Sequence, residues 1–416
     1  MCGIVGLRRA SGCSERELGR MCAAVAHRGP DDFGLWIGDD GRVGLAQQRL
    51  AIIDLSPAGH QPMSNEDGTI WIDYNGEVYN YAGLKRRLEG LGYCFHSNSD
   101  TETIIHAYEE WGAACLAELR GMFAFALWDA RHQQLLLARD HTGIKPMFYY
   151  WDGRTFAFAS EIKAFWTLEG LDRGLDQSAI FDYLTYLYVP TPKTAYQRIR
   201  KLPPGCYLTF DGKDITLAQY WDAPLEQDES LDEARAVRLV QEQLRDAVTM
   251  SMVSDVPVGL FLSGGLDSST VAAHMSGLAA EPVHTFSIGF DVPAHSETGY
   301  ARVVAKAFQT RHHERILERE SVQELLPRMV RLYDEPFSDG SAMPTFRVSE
   351  LAREQVKVVL AGDGGDEVFA GYRWYDRWLR QQAMRRLPQL IRQNVLVPVG
   401  QAWPANARGA QAHPRS

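Results

Sequence analysis

The second residue of this chain, Cys2, has the chemistry of a catalytic nucleophile. Removal of Met1 from the Met1-Cys2-Gly3-Ile4 start would leave a cysteine that carries both a thiol and a free α-amine. An α-amine titrates at about pH 8 and a free thiol at about pH 8.5, so the amine can take the thiol proton directly or through one water. This pair is suited to attack on an amide carbonyl, although a lone second-position cysteine is more often the start of a buried strand.

Other residues in the first half could complete a site around Cys2. Asn75 and Gly76 follow a predicted strand, so an amide side chain and a backbone N–H could stabilise an oxyanion. Arg49 ends another predicted strand, where its guanidinium could clamp a carboxylate, and Asp100 could hold an ammonium group. Each residue alone is more often a turn or ion-pair residue, but together they predict hydrolysis of the side-chain amide of glutamine.

Two loops in the second half predict a nucleotide site. Ser263–Ser269 reads Ser-Gly-Gly-Leu-Asp-Ser-Ser between a predicted strand and helix, where glycines and helix amides can approach a phosphate. It lacks the Gly-Lys end of a Walker loop, and Asp267 would repel a bare phosphate unless Mg²⁺ lay between them. Gly362–Glu367 follows another apolar strand, and its acids suit metal coordination. The alternatives are a tight turn and a polar helix cap.

Length and composition indicate a soluble protein of two domains. The 416 residues exceed what one core usually organises, and 45% are hydrophobic and 23% charged. A net charge of −10 argues against nucleic acid as a partner. No run of about 18 apolar residues predicts a membrane segment. The residues around Arg8 are polar where a signal peptide would need an apolar stretch, so we expect a cytoplasmic location. The scattered cysteines, with no CxxC pair and no clustered histidines, support neither disulfides nor zinc.

The predicted elements define two different architectures. Before residue 160, short strands separated by turns and two helices predict a mixed α+β domain, with Asp100 as the N-cap of the second helix. From Leu231, strands alternate with helices and predict a parallel sheet covered on both faces. Asp222–Glu229 is the predicted linker, and the tail after Trp403 has the composition of a disordered segment.

The order of these motifs resembles that of glutamine-hydrolysing asparagine synthetases. The first half resembles class II glutamine amidotransferases, and the second half resembles the synthetase domain. The motifs that carry the resemblance are Met1–Ile4, His27–Asp31, Arg49–Asp54, Tyr74–Glu77 and Ser99–Glu102, followed by Ser263–Ser269, Asp334–Phe337 and Gly362–Gly371. They extend to about Tyr372.

The resemblance implies a fold for each part of the chain. Residues 2–215 would form an αββα sandwich of the Ntn-hydrolase type, which is the glutaminase domain. Residues 230–400 would form an α/β parallel-sheet domain of the adenine-nucleotide α-hydrolase type, and residues 401–416 a disordered tail. Family members normally continue after the last motif with helices that carry a catalytic lysine, so we expect this domain to be incomplete.

The resemblance also implies an activity. ATP and Mg²⁺ would convert L-aspartate to β-aspartyl-AMP, and ammonia from L-glutamine would reach it through an internal tunnel. Cys2 would attack glutamine, Asn75 and Gly76 would stabilise the oxyanion, and Asp363 would act at the second site. The glutamine-binding residues would be Arg49, Ile52, Ile53, Asn75, Gly76, Glu77 and Asp100. The nucleotide site would comprise Leu262, Ser263, Gly264, Gly265, Asp267, Ser268, Ser269, Ile288, Ala361 and Gly362, with Asp267 and Asp366 as Mg²⁺ ligands.

Two alternatives stay open at this point. Ala361 and Asp363 stand where some members have serine and glutamate, so the acceptor could be a different carboxylic acid. A shortened second domain would instead leave a glutaminase or a glutamine-binding regulator without net synthesis. A homodimer is one expected assembly.

Overall fold

The computed structural model describes residues 1–292, 296–317 and 320–385. The first part of the chain consists mainly of strands. In chain order these are β1 (Gly3–Arg9), β2 (Asp32–Ile37), β3 (Val43–Arg49), β4 (Met63–Ser64), β5 (Ile70–Val78), β6 (Gly121–Asp129), β7 (Gln134–Arg139), β8 (Phe148–Trp151), β9 (Thr155–Ala159), β10 (Ile199–Lys201), β11 (Cys206–Phe210) and β12 (Ile215–Gln219). The helices among them are α1 (Glu15–Ala24), α2 (Tyr81–Gly90), α3 (Asp100–Trp111) and α4 (Gln177–Tyr186).

These strands form two antiparallel sheets of six strands each. Sheet A has the order β10-β8-β9-β1-β3-β2, and sheet B has the order β12-β11-β7-β6-β5-β4. In sheet A, β1 lies between β3 and β9, with Gly3 paired to Gln48 and Val5 paired to Ala159. The start of β1, and therefore Cys2, lies at the end of β3 that leads into Arg49.

Buried side chains on both faces of each sheet produce four layers. Helix α1 buries Leu18, Met21 and Cys22 against Val5 and Leu7 of sheet A. Helices α2 and α3 cover the opposite face of sheet B, and a third core fills the space between the sheets. That central core includes Leu45, Phe156, Phe158, Leu208 and Phe210. The layer order is therefore helix, sheet, sheet, helix, which confirms the predicted αββα sandwich.

The second part of the chain alternates helices with parallel strands. In chain order it contains α5 (Glu233–Ser251), β13 (Val258–Phe261), α6 (Leu266–Leu278), β14 (His284–Phe290), α7 (Thr298–Ala307), β15 (Arg311–Leu317), α8 (Glu320–Leu332), α9 (Ala342–Arg353), β16 (Val358–Leu360), α10 (Gly365–Phe369) and α11 (Arg373–Arg385). The four strands are parallel in the order β15-β14-β13-β16. This confirms the predicted α/β parallel-sheet fold and brings the loops after β13 and β16 to the same edge.

The sequence patterns did not predict every element. Helix α1 was missed although Leu18, Met21 and Cys22 have helical spacing and Ser14 caps its first turn. Helix α8 was also missed, because Pro327 inside it breaks the expected pattern. Asp100 is not an N-cap as predicted: Ser99 caps α3 by accepting from the Thr101 N–H, and Asp100 is the first helical residue.

The segment that joins the two parts, including Asp222–Glu229, contains neither helix nor strand. Ion pairs link the parts directly. The Lys163 ammonium lies 3.1 Å from Asp334 Oδ1, and the Lys357 ammonium lies 2.8 Å from Asp31 Oδ2. Within the described ranges, no helix has the length and apolar character needed to cross a membrane. The end of the predicted second domain, residues 386–400, and the predicted tail, residues 401–416, lie outside the described residues.

Candidate active sites

The Cys2 thiol lies beside the loop that follows β3. The Leu50 backbone N–H donates to Cys2 Sγ at 3.4 Å, and the thiol lies 3.8 Å from the Leu50 carbonyl oxygen. Arg28 holds the backbone of the same residue, because its Nε donates to the Cys2 carbonyl oxygen at 2.9 Å. Arg28 also donates to Glu161 at 2.8 Å. These contacts fix the position of Cys2 from two sides.

Burial controls the protonation of the groups around Cys2. It raises the pKa of the Cys2 thiol, so the thiol needs a base to become a nucleophile. Burial also lowers the pKa of the chain's terminal amine, here on Met1, to about 5, with a smaller contribution from Lys145 and Arg28. A lowered pKa favours the neutral amine, which is the form that accepts a proton.

Strand β5 brings the predicted oxyanion residue and an acid to one face. Because side chains alternate along a strand, Asp73, Asn75 and Glu77 share the face opposite to Ile72 and Tyr74, which pack on the helix side of sheet B. Asn75 is fully buried, and neither its amide nitrogen nor its amide oxygen has a hydrogen-bond partner among the described residues. Buried amides are normally paired, so these atoms are available to a ligand.

Gly76 packs so closely against its neighbours that a side chain at this position would clash with them. A Cβ at this position would lie 2.4 Å from the Met122 carbonyl oxygen and 2.7 Å from the Tyr74 ring. Glu77 Oε2 is also buried without a partner in the described part of the chain. Burial, and then the neighbouring Asp100, raise the pKa of Glu77 well above its usual value. A cationic ligand beside Glu77 would therefore be stabilised.

Arg49 is the last residue of β3, and Asp100 is the first residue of α3. Arg49 is 7% exposed, and its Nη2 donates to the Asp54 carbonyl oxygen at 2.7 Å and to the Ile53 carbonyl oxygen at 3.3 Å. The loop with Ile52 and Ile53 thus packs around the guanidinium. Asp100 Oδ2 accepts from the Tyr74 hydroxyl at 2.7 Å and from the Val78 N–H at 2.9 Å.

Lys145 is a buried cation in this region that the sequence interpretation missed. It is 5% exposed, and burial lowers its pKa while the Glu77 carboxylate opposes that effect. Its backbone N–H donates to Asp140 Oδ2 at 2.9 Å, which holds the loop before β8. Its position in a Gly-Ile-Lys-Pro turn carried no signal of a site, whereas Arg28 lay within a motif that had been noted.

A second site lies at the carboxyl ends of the parallel strands. A cavity of about 350 Å³ opens between the loops after β13, β14 and β16, a size typical of small-molecule sites. The predicted nucleotide-site residues that line it are Leu262, Ser263, Gly265, Asp267, Ser268, Ile288, Ala361, Gly362 and Asp363. Gly264, Ser269 and Asp366 are not among its lining residues. Glu297, Thr298 and Thr345 line it as well, and no pattern in the sequence had indicated them.

The loop after β13 has the geometry of an anion-binding turn. Gly264 has φ of +82°, and a Cβ there would lie 2.4 Å from the Ala301 nitrogen, so the turn requires glycine. The Ser263 and Ser268 hydroxyls lie 3.0 Å apart, and the Gly265 N–H donates to Ser263 Oγ at 3.2 Å. No side chain caps α6 at Gly265, which leaves amides of the first turn available.

The two predicted Mg²⁺ ligands differ in their surroundings. Asp267 is in the first turn of α6, and a Cβ at Gly365 would lie 2.5 Å from its carboxyl carbon. Glycine at that position therefore allows the loop after β16 to approach Asp267. A carboxylate beside phosphate-binding hydroxyls fits a hard cation such as Mg²⁺. Asp366 is in α10 and packs close to Gly371, where a Cβ would lie 1.8 Å from its Oδ1.

The fold joins an αββα sandwich of the glutamine amidotransferase class to an α/β parallel-sheet domain, and each part contains a candidate site. Comparison with protein families agrees: residues 1–221 match a glutamine amidotransferase domain, and residues 239–415 match asparagine synthase. The second match extends well past Tyr372, where the motifs found in the sequence ended. The chain belongs to the family of glutamine-hydrolysing asparagine synthetases.

Two of the similar proteins are named as glutamine-hydrolysing asparagine synthetases. The chain is 39% identical to a putative glutamine-hydrolysing asparagine synthetase 2 of Methanocaldococcus jannaschii, with 94% of this chain and 79% of the relative covered. It is 36% identical to the glutamine-hydrolysing asparagine synthetase 1 of Bacillus subtilis, with 98% of this chain and 65% of the relative covered. It is also 33% identical to the amidase chry2 of Gibberella zeae, with 86% and 55% covered. The chain thus spans 55% to 79% of the length of these relatives.

Proposed function

We propose that this chain makes asparagine from aspartate, with ATP and with ammonia taken from glutamine. The observation that carries the proposal is the coexistence of two sites in one chain. The first part of the chain contains Cys2 and the amide of Asn75, which has no partner among the described residues. A cavity lined by Ser263, Ser268 and Asp363 lies at the edge of the parallel sheet in the second part. A glutaminase alone would not need the second site, and an ammonia-dependent ligase would not need the first.

In the first site, Cys2 would attack the side-chain amide of glutamine. The neutral α-amine would take the thiol proton, and Asn75 Nδ2 with the Gly76 N–H would stabilise the oxyanion. Arg49 would bind the α-carboxylate, while Glu77 and Asp100 would bind the α-ammonium group. The charge of that ammonium group would offset the raised pKa values of Glu77 and Asp100, whose first cause is burial.

In the second site, the loop after β13 would hold the phosphates of ATP. The Ser263 and Ser268 hydroxyls and the free amides of α6 are donors to phosphate oxygens. Gly264, Ser269 and Leu262 would shape the turn, and Ile288, Ala361 and Gly362 would contact the rest of the nucleotide. Asp363 lines the same cavity and would act on the aspartate activated as β-aspartyl-AMP.

Mg²⁺ would neutralise phosphate charge at this site when bound. Asp267 is the ligand that the geometry favours, because it lines the cavity beside the two serines. Asp366 would reach the ion only from the neighbouring helix α10. We therefore propose Asp267 as the main protein ligand and Asp366 as the second.

One assay tests the proposal directly. Purified protein with ATP, Mg²⁺, aspartate and glutamine should release AMP, asparagine and glutamate together. The Cys2→Ala variant should lose glutamine use and keep ammonia use, while the control variant Cys94→Ala, which changes an exposed thiol, should keep both. Glutamate release without AMP would reduce the protein to a glutaminase, and glutamine hydrolysis by Cys2→Ala would contradict the nucleophile assignment.

A different acceptor acid is the second candidate function. It is favoured by the similarity to a relative named as an amidase, and by Ala361 and Asp363 in the cavity wall. AMP release that depends on another carboxylic acid and not on aspartate would select this second function.

The six free thiols suit a reducing compartment, so the cytoplasm is the proposed location.

A further inference from the structure

The side chain of His106 on α3 is buried with half of its hydrogen-bonding capacity unused. It is 1% exposed, and its Nδ1 lies 2.8 Å from Glu109 Oε2. Its Nε2 is buried and has no hydrogen-bond partner within the residues that the structure describes. The rings of Tyr93 and Phe95 flank the imidazole, with ring centroids 5.1 and 4.7 Å from its own. These contacts hold the ring in one orientation.

Carboxylate oxygens surround the free nitrogen. Glu102 Oε1 lies 3.8 Å from His106 Nε2, and Glu66 Oε1 lies 3.9 Å from it. One ligand atom from each of Glu66, His106 and Glu109 lies within 4.8 Å of the others. These separations exceed hydrogen-bonding distance, so the carboxylates do not satisfy Nε2 directly.

The arrangement matches the immediate surroundings of a histidine that binds a metal. A ligating histidine usually bonds its other ring nitrogen to a carboxylate, which fixes the tautomer and leaves the free nitrogen's lone pair towards the ion. Zinc binds nitrogen and carboxylate oxygen at about 2.0–2.2 Å, so two ligands of one ion lie about 3–3.6 Å apart. The distance of 3.9 Å between His106 Nε2 and Glu66 Oε1 needs only a small contraction to reach that spacing.

We propose that His106 Nε2 and Glu66 bind a divalent cation of the Zn²⁺ type, with Glu109 as a positioning residue on His106 Nδ1 and with Glu102 adding negative charge 3.8 Å from Nε2. Glu102 already accepts N–H bonds from His96 and Ser97, which orient its carboxylate. The Glu66 side chain is 44% exposed and gives the ion a route from solvent. This site lies outside both sites of the proposed function and does not depend on them.

The local charge also favours a divalent cation. Three carboxylates, those of Glu66, Glu102 and Glu109, face the imidazole. The nearest guanidinium, on Arg131, lies 3.8 Å from Glu109 but pairs at 2.7 Å with Asp67. A bound ion would connect the turn between β4 and β5 to α3, whose first residue, Asp100, is in the proposed glutamine site.

A proton on His106 is the competing explanation, and Zn²⁺ titration separates the two. Isothermal titration calorimetry on the full chain in the Cys2→Ser background, without a histidine tag, should show a site that Glu66→Gln weakens at least about tenfold. Glu109→Gln should weaken it about tenfold, because it replaces the carboxylate partner of Nδ1 with a neutral amide oxygen. Glu89→Gln, an exposed acid on α2, should leave it unchanged.

Thermal unfolding provides an independent measurement. At one fixed Zn²⁺ concentration, the Tm of the parent protein and of Glu89→Gln should rise by the same amount and the Tm of Glu66→Gln by less, and EDTA should reverse the effect. Glu66 is half-exposed, so its substitution leaves the fold intact and the comparison valid. Zn²⁺ binding that is absent, or equal in Glu66→Gln and Glu89→Gln, would overturn the proposal and leave His106 as an imidazolium held by its carboxylates.

Discussion

The buried amide of Asn75 leads to the most specific prediction about catalysis. Its amide is buried and unpaired in the described part of the chain, so its proposed role is to donate to the developing oxyanion. We expect Asn75→Ala to lower the kcat of glutamine hydrolysis by about 10²- to 10³-fold, the usual effect of losing one oxyanion donor. Glutamate release measures this, and ammonia-dependent synthesis should be unaffected.

An exposed asparagine provides the control for that substitution. Asn98 precedes α3 and lies on the surface, so Asn98→Ala should hydrolyse glutamine at close to the parental rate. An Asn75→Ala protein that keeps the parental kcat would remove Asn75 from the proposed oxyanion site.

At the residue scale, the sequence allowed a site residue to be proposed where it lay in a recognisable short motif. Asn75 and Asp267 lay in short motifs that name both the side chain and its strand or helix terminus. Lys145 and the His106 group had no such neighbourhood, because their partners come from distant segments. Glu66 and Glu109 are 43 positions apart in sequence and meet only after α3 packs on sheet B.

The turn from β13 into α6 tests how an element supports a site. Gly264→Ala forces a left-handed φ on alanine and places a Cβ against the backbone of α7. We expect it to lower the free energy of unfolding by about 1–3 kcal/mol and to reduce ATP-dependent activity. Chemical denaturation and AMP release measure the two effects.

The same helix contains a matched control. Gly277 is in α6, and a Cβ there would have no heavy atom within 4 Å. Gly277→Ala should therefore raise the free energy of unfolding by about 0.5–1 kcal/mol through helix propensity, without loss of activity. Equal stability changes in the two variants would show that the turn does not require glycine at 264.

Element boundaries followed from the sequence where periodicity and turn residues agreed. The sequence predicts strands over Val43–Arg49, Gln134–Arg139 and Thr155–Ala159, and these are the bounds of β3, β7 and β9. Asp-Gly turns or polar residues border each of these segments. Strand β15 was missed, because Arg311–Leu317 is mostly charged and gains its place only by pairing with β14. Edge strands of this kind carry little local signal.

At the scale of the whole molecule, a charged cluster joins the nucleophile to the second part of the chain. Burial raises the pKa of Glu161, but hydrogen bonds with His27, Lys163 and Arg28 outweigh that effect and lower this pKa to about 2. Lys163 in turn pairs with Asp334. The cluster therefore depends on Glu161 remaining ionised.

Acid unfolding measures the contribution of Glu161. Its pKa is lower in the folded protein than in the unfolded chain, where it is about 4.5, so its stabilisation is fully present above pH 4.5 and is lost as pH falls towards 2. We expect about 2–3 kcal/mol at neutral pH, and Glu161→Gln should lack that part of the pH dependence. Carboxyl groups titrate roughly between pH 5 and pH 3. If the free energy of unfolding fell equally for both proteins over that pH range, the assignment to Glu161 would be wrong.

The contact between Asp255 and the loop after β3 limits how the two parts could be recombined. The Asp255 N–H donates to the Ile52 carbonyl oxygen at 3.0 Å, and its carboxylate accepts from the Asp54 N–H at 2.8 Å. That loop also contains Leu50, which contacts the Cys2 thiol, and Asp255 lies three residues before β13. A chimera of this chain with a relative should therefore take residue 255 and the loop from the same parent. Otherwise the hybrid loses the hydrogen bonds that connect the two parts here.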